Sequence, residues 1–234
     1  MIVLHNIPTG CRTIDKVLDG GIQNREISLL YGEAETGKTT LAMQCAVHCA
    51  THNHKTLFVD CDGTFSARRL SQIASEDFEE IAELMILMKP KRFAEQIIII
   101  DQLTNYINRN FGLVVIDTLT SLYRTEIAEY PQRRFELNRE MNRQMASLAQ
   151  TTRTRKIAIL ITSQVRSVFT EALTSIEPVA TRVLKFWSDL VIAMKPTEKP
   201  QIVKAFLEKA SKPVGPLTVR LRMDERGIHE YTTG

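Results

Sequence analysis

Gly32-Glu33-Ala34-Glu35-Thr36-Gly37-Lys38-Thr39 is the stretch that decides how this chain is read. It fits the phosphate-binding pattern G-x-x-x-x-G-K-[ST], and it has the right flanks. The apolar run Ile27-Ser28-Leu29-Leu30-Tyr31 before it reads as a buried strand, and Thr40-Leu41-Ala42-Met43-Gln44 after it reads as a helix. Gly32 and Gly37 let the backbone wrap so that the amides of Glu33, Ala34, Glu35 and Thr36 turn inward toward phosphate oxygens, and the helix from Lys38 through Thr40 adds its positive end. Lys38 would reach the β- and γ-phosphates, and the Thr39 hydroxyl would enter a Mg²⁺ shell. The chain therefore reads as a protein that binds ATP or GTP.

The second decisive stretch is Gly112-Leu113-Val114-Val115-Ile116-Asp117. Four apolar residues closed by an acid make a parallel strand buried on both faces, with Asp117 at its carboxyl end, where α/β sheets build their sites. Lying about 80 residues beyond Lys38, Asp117 is expected to hold the Mg²⁺ through water. Lys55-Thr56-Leu57-Phe58-Val59-Asp60 and Lys156-Ile157-Ala158-Ile159-Leu160-Ile161-Thr162 read as further strands of the same sheet. One ends in Asp60-Cys61-Asp62-Gly63-Thr64 and the other in Ser163-Gln164.

Between these strands the periodicity predicts helices over about 38–50, 71–84, 92–108 and 123–151, and a third strand at Met85–Met88. Ile97-Ile98-Ile99-Ile100 alone resembles a strand, but Phe93, Ile97, Ile100, Leu103 and Ile107 recur at helical spacing. Cys45, His48, Cys49 and His52 share one helix face and invite a zinc reading. Seven residues of helix span roughly 10 Å, so four ligands cannot converge on one ion, and the stripe reads as packing against the sheet. Residues 165–180 read as a functional surface loop. Near the C-terminus, Leu190–Met194, Ile202–Leu207 and Leu217–Met223 read as strands, the last two as antiparallel edge strands.

With 234 residues, 44% hydrophobic and 24% charged, the composition is that of one soluble globule, expected as a single domain over 1–234. A net charge of +3 permits nucleic-acid binding without demanding it. The N-terminus lacks the features of a signal peptide, and no stretch has the roughly 18 apolar residues of a membrane span, so the expected location is cytoplasmic, with no membrane partner. Four cysteines without scaffold spacing are expected as free thiols. In the segment after Asp117, Arg133 and Arg134 sit among acids as a mixed face, solvated or phosphate-contacting. Arg182-Val183-Leu184-Lys185-Phe186-Trp187 offers either a stacking surface for single strands or a Trp buried between strands.

Taken together, Gly20-Gly21, the phosphate loop, Phe58-Val59-Asp60-Cys61-Asp62-Gly63-Thr64-Phe65, Val114 to Thr120 and Ile161-Thr162-Ser163-Gln164-Val165 resemble the RecA/RadA recombinase family across nearly the whole chain, and most of all its shorter archaeal members. The resemblance implies a RecA-like P-loop NTPase core: a mostly parallel twisted central sheet flanked by helices, with antiparallel strands near the C-terminus and no N-terminal helical DNA-binding domain. It implies ATP and Mg²⁺ as cofactors. It sets Lys38, Asp62 and Gln164 as catalytic positions, Asp62 standing where the family has a glutamate that activates water. Gln164 would sense the γ-phosphate, and Arg69 would stack on adenine. Arg133, Arg134, Arg166, Arg182 and Lys185 become the candidate DNA contacts, and Lys204, Lys209 or Lys212 candidate cations for a neighbour's site. The expected role is a weak ATPase of homologous recombination and DNA repair. It would bind single-stranded and also double-stranded or branched DNA, assist a main recombinase of the RadA type, sit near the nucleoid, and exist as a monomer or homodimer. A KaiC-like signalling ATPase and a non-catalytic adaptor are the alternatives.

Overall fold

The computed structural model describes residues 4–165 and 179–231. In chain order these form β1 (Asn6–Ile7), α1 (Arg12–Val17), β2 (Ile22–Gln23), β3 (Ile27–Gly32), α2 (Lys38–Thr51), β4 (Lys55–Asp60), α3 (Ala67–Ala74), α4 (Phe78–Glu83), β5 (Met85–Met88), α5 (Phe93–Asp101), α6 (Leu103–Tyr106), β6 (Phe111–Asp117), α7 (Thr120–Glu129), α8 (Arg134–Arg155), β7 (Ala158–Gln164), α9 (Val179–Trp187), β8 (Leu190–Pro196), β9 (Ile202–Lys209), β10 (Thr218–Asp224) and β11 (Gly227–Glu230).

Nine strands make the main sheet, in the order β11-β10-β9-β8-β3-β7-β6-β4-β5. The run from β8 to β5 is parallel, and β9, β10 and β11 continue it antiparallel. The parallel strands are apolar at successive positions because both faces are covered. Leu29, Val114, Ile116, Ile159 and Ile161 face Phe93, Tyr123, Met141, Leu148 and Leu184 from α5, α7, α8 and α9. Leu30, Leu113, Val115 and Leu160 face Ile14, Leu41, Cys45 and Cys49 from α1 and α2. The cysteine stripe is thus packing: burial raises the Cys45 thiol well above its ordinary range and pushes Cys49 up to about 11.

The structure departs from the sequence reading at four places. The helix expected over 71–84 is split at Ser75, whose φ of 56° and ψ of −125° break the ladder. The one expected over 123–151 is split at Tyr130-Pro131, since proline has no N–H to continue it. Trp187 is not between strands but ends α9, partly buried, with Nε1 donating to Asn142 Oδ1 at 2.9 Å. The edge beyond β9 and β10 is taken by β11, a strand too short and polar to announce itself. Ile97–Ile100 is helical, as its spacing required.

Strand register brings the functional ends together. Gly32 pairs with Gln164, Asp60 pairs with Asp117, and Ile116 pairs with Ile161. The carboxyl ends of β3, β4, β6 and β7 therefore share one edge. Buried Gln44 ties that edge to the rest: its Nε2 donates to the carbonyls of Thr9 (2.8 Å) and Ile228 (3.1 Å), and its Oε1 accepts from the Ile228 amide (2.8 Å). Replacing Gln44 with Leu keeps the volume and strands three buried backbone groups, so it is expected to cost about 3 kcal/mol, roughly 10 °C in a thermal melt. Hydrogen exchange should show the Ile228 amide losing protection ahead of the parallel strands.

Candidate nucleotide site

The loop between β3 and α2 is shaped before any nucleotide arrives. Glu35 and Gly37 take positive φ values of 62° and 83°, and Gly37 caps α2 in the left-handed conformation. A side chain at Gly37 would stand 2.7 Å from Ile228 Cδ1, and one at Gly32 would stand 2.0 Å from the Met194 carbonyl oxygen. Both glycines are therefore required by space, and Gly37 by φ as well. Lys38 folds back over the loop, its ammonium donating to the Glu33 carbonyl and to Thr36 Oγ1 at 3.2 Å. Burial pushes its pKa down to about 8 against the opposing pull of Asp117 and Asp62. An anion in the loop would restore the charge.

Asp117 ends β6 with its side chain 0% exposed. The Thr162 hydroxyl donates to Oδ1, and Oδ2 has no hydrogen-bond partner among the described residues. The Thr39 hydroxyl interacts with the same carboxyl. Desolvation dominates these bonds and pushes the Asp117 pKa from 3.8 up to about 6. A buried anionic oxygen left open beside a loop threonine fits a hydrated Mg²⁺, a hard cation that keeps several waters and takes one or two carboxylates.

On the other side of Asp117, Asp60 is buried, and its two oxygens accept the amides of Thr64 (3.0 Å) and Phe65 (3.2 Å), with Lys89 at 3.5 Å. This pins the turn that carries Asp62, which is exposed and accepts from Thr64 Oγ1 at 2.7 Å. Gln164 stands opposite Gly32 with its carbonyl accepting from Arg124 Nη1 at 3.2 Å. Arg69, on α3, donates to the Asp224 and Glu225 carbonyls at 2.6 and 3.0 Å, so it faces the β10–β11 turn that lies against Gly37 and Thr40. The sequence reading brought these residues to one edge; it missed Asp60, Thr162 and Arg124 as partners in the arrangement. Only Asp60 had a signal, as the strand-ending acid of its cluster.

With that geometry in place, the comparisons decide the family. The Rad51 family model matches residues 2–214. The chain belongs to the Rad51 family. It is 31% identical to the DNA repair and recombination protein RadB of Methanosphaera stadtmanae, over 95% of this chain and 94% of that one. It is 30% identical to the RadB of Methanocaldococcus jannaschii, over 92% and 98%. A crystal structure of the RadB recombinase superposes with a TM-score of 0.81 at 31% identity, covering 97% of this chain and all of that one. The fold is accordingly RecA-like, and the family is one of P-loop ATPases. These matches set aside the KaiC-like alternative.

In this Rad51-family member the candidate DNA cations divide into two groups. Arg133 is held by Glu126 at 3.2 Å and Glu136 at 2.8 Å. Lys185 contacts Glu208 and Tyr31 Oη, both at 2.9 Å, and lies over the Tyr31 ring. Both are thus engaged inside the chain. Arg134 and Arg182 are exposed, and Arg134 lines a groove beside Gln164; Arg166 lies outside the described residues. Lys209 donates to the carbonyls of Lys185, Phe186 and Ser188, which commits it to capping α9.

The raised Asp117 pKa has a testable sign. The free fold holds the proton more tightly than the unfolded chain does, so the ionised carboxylate destabilises it. That penalty is absent below pH 3.8, grows toward about 6 and then levels, at on the order of 3 kcal/mol. Asp117→Asn should therefore melt higher than the parent at pH 7.5 in EDTA without nucleotide, and the gap should close as the pH falls toward 4. A gap independent of pH would contradict the burial account.

Proposed function

We propose that this chain is an ATP- and Mg²⁺-dependent DNA-binding protein of homologous recombination and DNA repair, a weak ATPase that assists a main recombinase of the RadA type. The observation that carries the reading is the open, buried Asp117 Oδ2 beside Thr39 and a preshaped phosphate loop. Membership of the Rad51 family and the names of the RadB relatives support the repair role.

Residues 32–40 cradle the phosphates, Lys38 neutralises the β- and γ-oxygens, and Thr39 with Asp117 holds the metal. When bound, Mg²⁺ supplies charge stabilisation at the β- and γ-phosphates. Asp62 orients the attacking water, Gln164 reports the terminal phosphate to the segment that follows β7, and Arg69 flanks the base. Arg134 and Arg182 supply exposed charge for the DNA backbone, with Arg166 between them in sequence. The whole of 1–234 works as one ATPase core, as a monomer or homodimer. Among the described residues no helix is long and apolar enough to cross a membrane, consistent with work in the cytoplasm near the nucleoid.

The test is anisotropy of labelled single-stranded DNA at several salt concentrations, with and without ATP·Mg²⁺, alongside phosphate release. Binding that falls steeply with salt and shifts with ATP is expected, and Lys38→Ala should abolish the ATP response while leaving basal binding. Asp62→Glu should raise turnover about tenfold or more, and Asp62→Asn should reduce it to background. DNA binding absent under every condition would overturn the repair reading.

A further inference from the structure

Two cations converge on the mouth of the phosphate loop, and only one of them belongs to the loop. Lys38 rises from the loop itself. Arg124 comes from α7, the helix that starts three residues after Asp117. Its Nη1 donates to the Gln164 carbonyl at 3.2 Å. Gln164 pairs in register with Gly32, so this bond fixes the guanidinium at the strand end that flanks the loop. There Arg124, Thr120, Ser163 and Gln164 form one wall of an open groove of about 820 Å³. Arg124 is near enough to Lys38 for its charge to disfavour the protonated ammonium. Gathering two like charges is unfavourable unless an anion joins them. In a phosphate loop that anion is the terminal phosphate of the nucleotide.

We propose that Arg124 binds the γ-phosphate of ATP from within the same chain, and that its bond to the Gln164 carbonyl passes the presence of that phosphate to the segment after β7. The proposal rests on the reading of residues 32–40 as an ATP site. A guanidinium has five N–H donors in a planar fork, so one head group can hold the Gln164 carbonyl and a phosphate oxygen together. Lysine offers charge without that fork. Of the lysines considered as a cation from a neighbour, Lys209 caps α9. Arg124 supplies the second positive charge without a neighbour.

The experiment compares affinities for a non-hydrolysable ATP analogue and for ADP, both with Mg²⁺, in the full chain and in Arg124→Gln and Arg124→Lys. Arg124→Gln is expected to weaken the triphosphate about tenfold or more while ADP stays within about twofold. Arg124→Lys should fall between. Because Arg124 is solvent-exposed, the nucleotide-free melting temperature should move by no more than about 2 °C. An equimolar mixture of Arg124→Gln and Lys38→Ala chains should recover no ATPase activity. Equal loss of both nucleotides, loss of neither, or recovery in the mixture would overturn the assignment while leaving the ATP site standing. A parent chain that binds neither nucleotide would overturn both.

Discussion

A carboxylate buried with one oxygen unpaired is the constraint on which the rest of this structure depends. Asp117 sits at the end of a strand whose neighbours on both sides are apolar and whose faces are both covered, so it cannot turn to water. The Thr162 hydroxyl supplies one bond, from the adjacent strand, and leaves the charge uncompensated. A fold accepts such a cost where a cation will later offset it, and the thermodynamic consequence is that metal and nucleotide stabilise the folded state. The parallel register then matters for chemistry as well as for packing. Because Asp60 pairs with Asp117 and Gly32 pairs with Gln164, each strand delivers its final polar residue to the same edge.

How much of this was legible depended on whether the signal was local. Strands β3, β4, β6 and β7 could be read because continuous apolar runs closed by polar residues have few other solutions, and the phosphate loop because glycine and lysine spacing encodes a backbone shape. The helix over Ile97–Ile100 was legible from its wider spacing, despite a run that looks like a strand. Ser75 was not, since a non-glycine residue at positive φ carries no sequence mark, and neither was β11, whose place depends on the distant Gln44 side chain. Arg124 was hidden for a different reason. In sequence it is one charge among nine in a mixed helical segment; only the pairing of Gly32 with Gln164 shows which of those charges faces the loop.

The C-terminal hairpin gives the sheet's antiparallel end a role at the site. Met223 and Ile228 lie against Gly37, Gln44 grips Ile228, and Arg69 grips the carbonyls of the turn at Asp224 and Glu225. The hairpin is thus fastened to both helices that border the nucleotide, α2 and α3. A base entering beside Arg69 would meet a guanidinium whose edge donors are already spent on the turn. Its planar face remains the geometry suited to stacking, so holding the hairpin and flanking a base are compatible uses of one side chain.

The same logic bears on Asp62. A catalytic aspartate in place of a glutamate is one methylene shorter, and a flexible turn could move forward to restore the reach. Here the turn is not flexible. Both oxygens of buried Asp60 hold the amides of Thr64 and Phe65, Lys89 braces the same carboxylate, and the Thr64 hydroxyl holds Asp62 itself. The missing length therefore cannot be recovered by backbone motion without breaking a buried, charge-assisted anchor, which costs more than a water-mediated contact returns. Slow turnover is then a property of the anchor as much as of the shorter side chain, and a nucleotide that persists uncleaved suits a protein whose bound state, rather than its hydrolysis, is the signal.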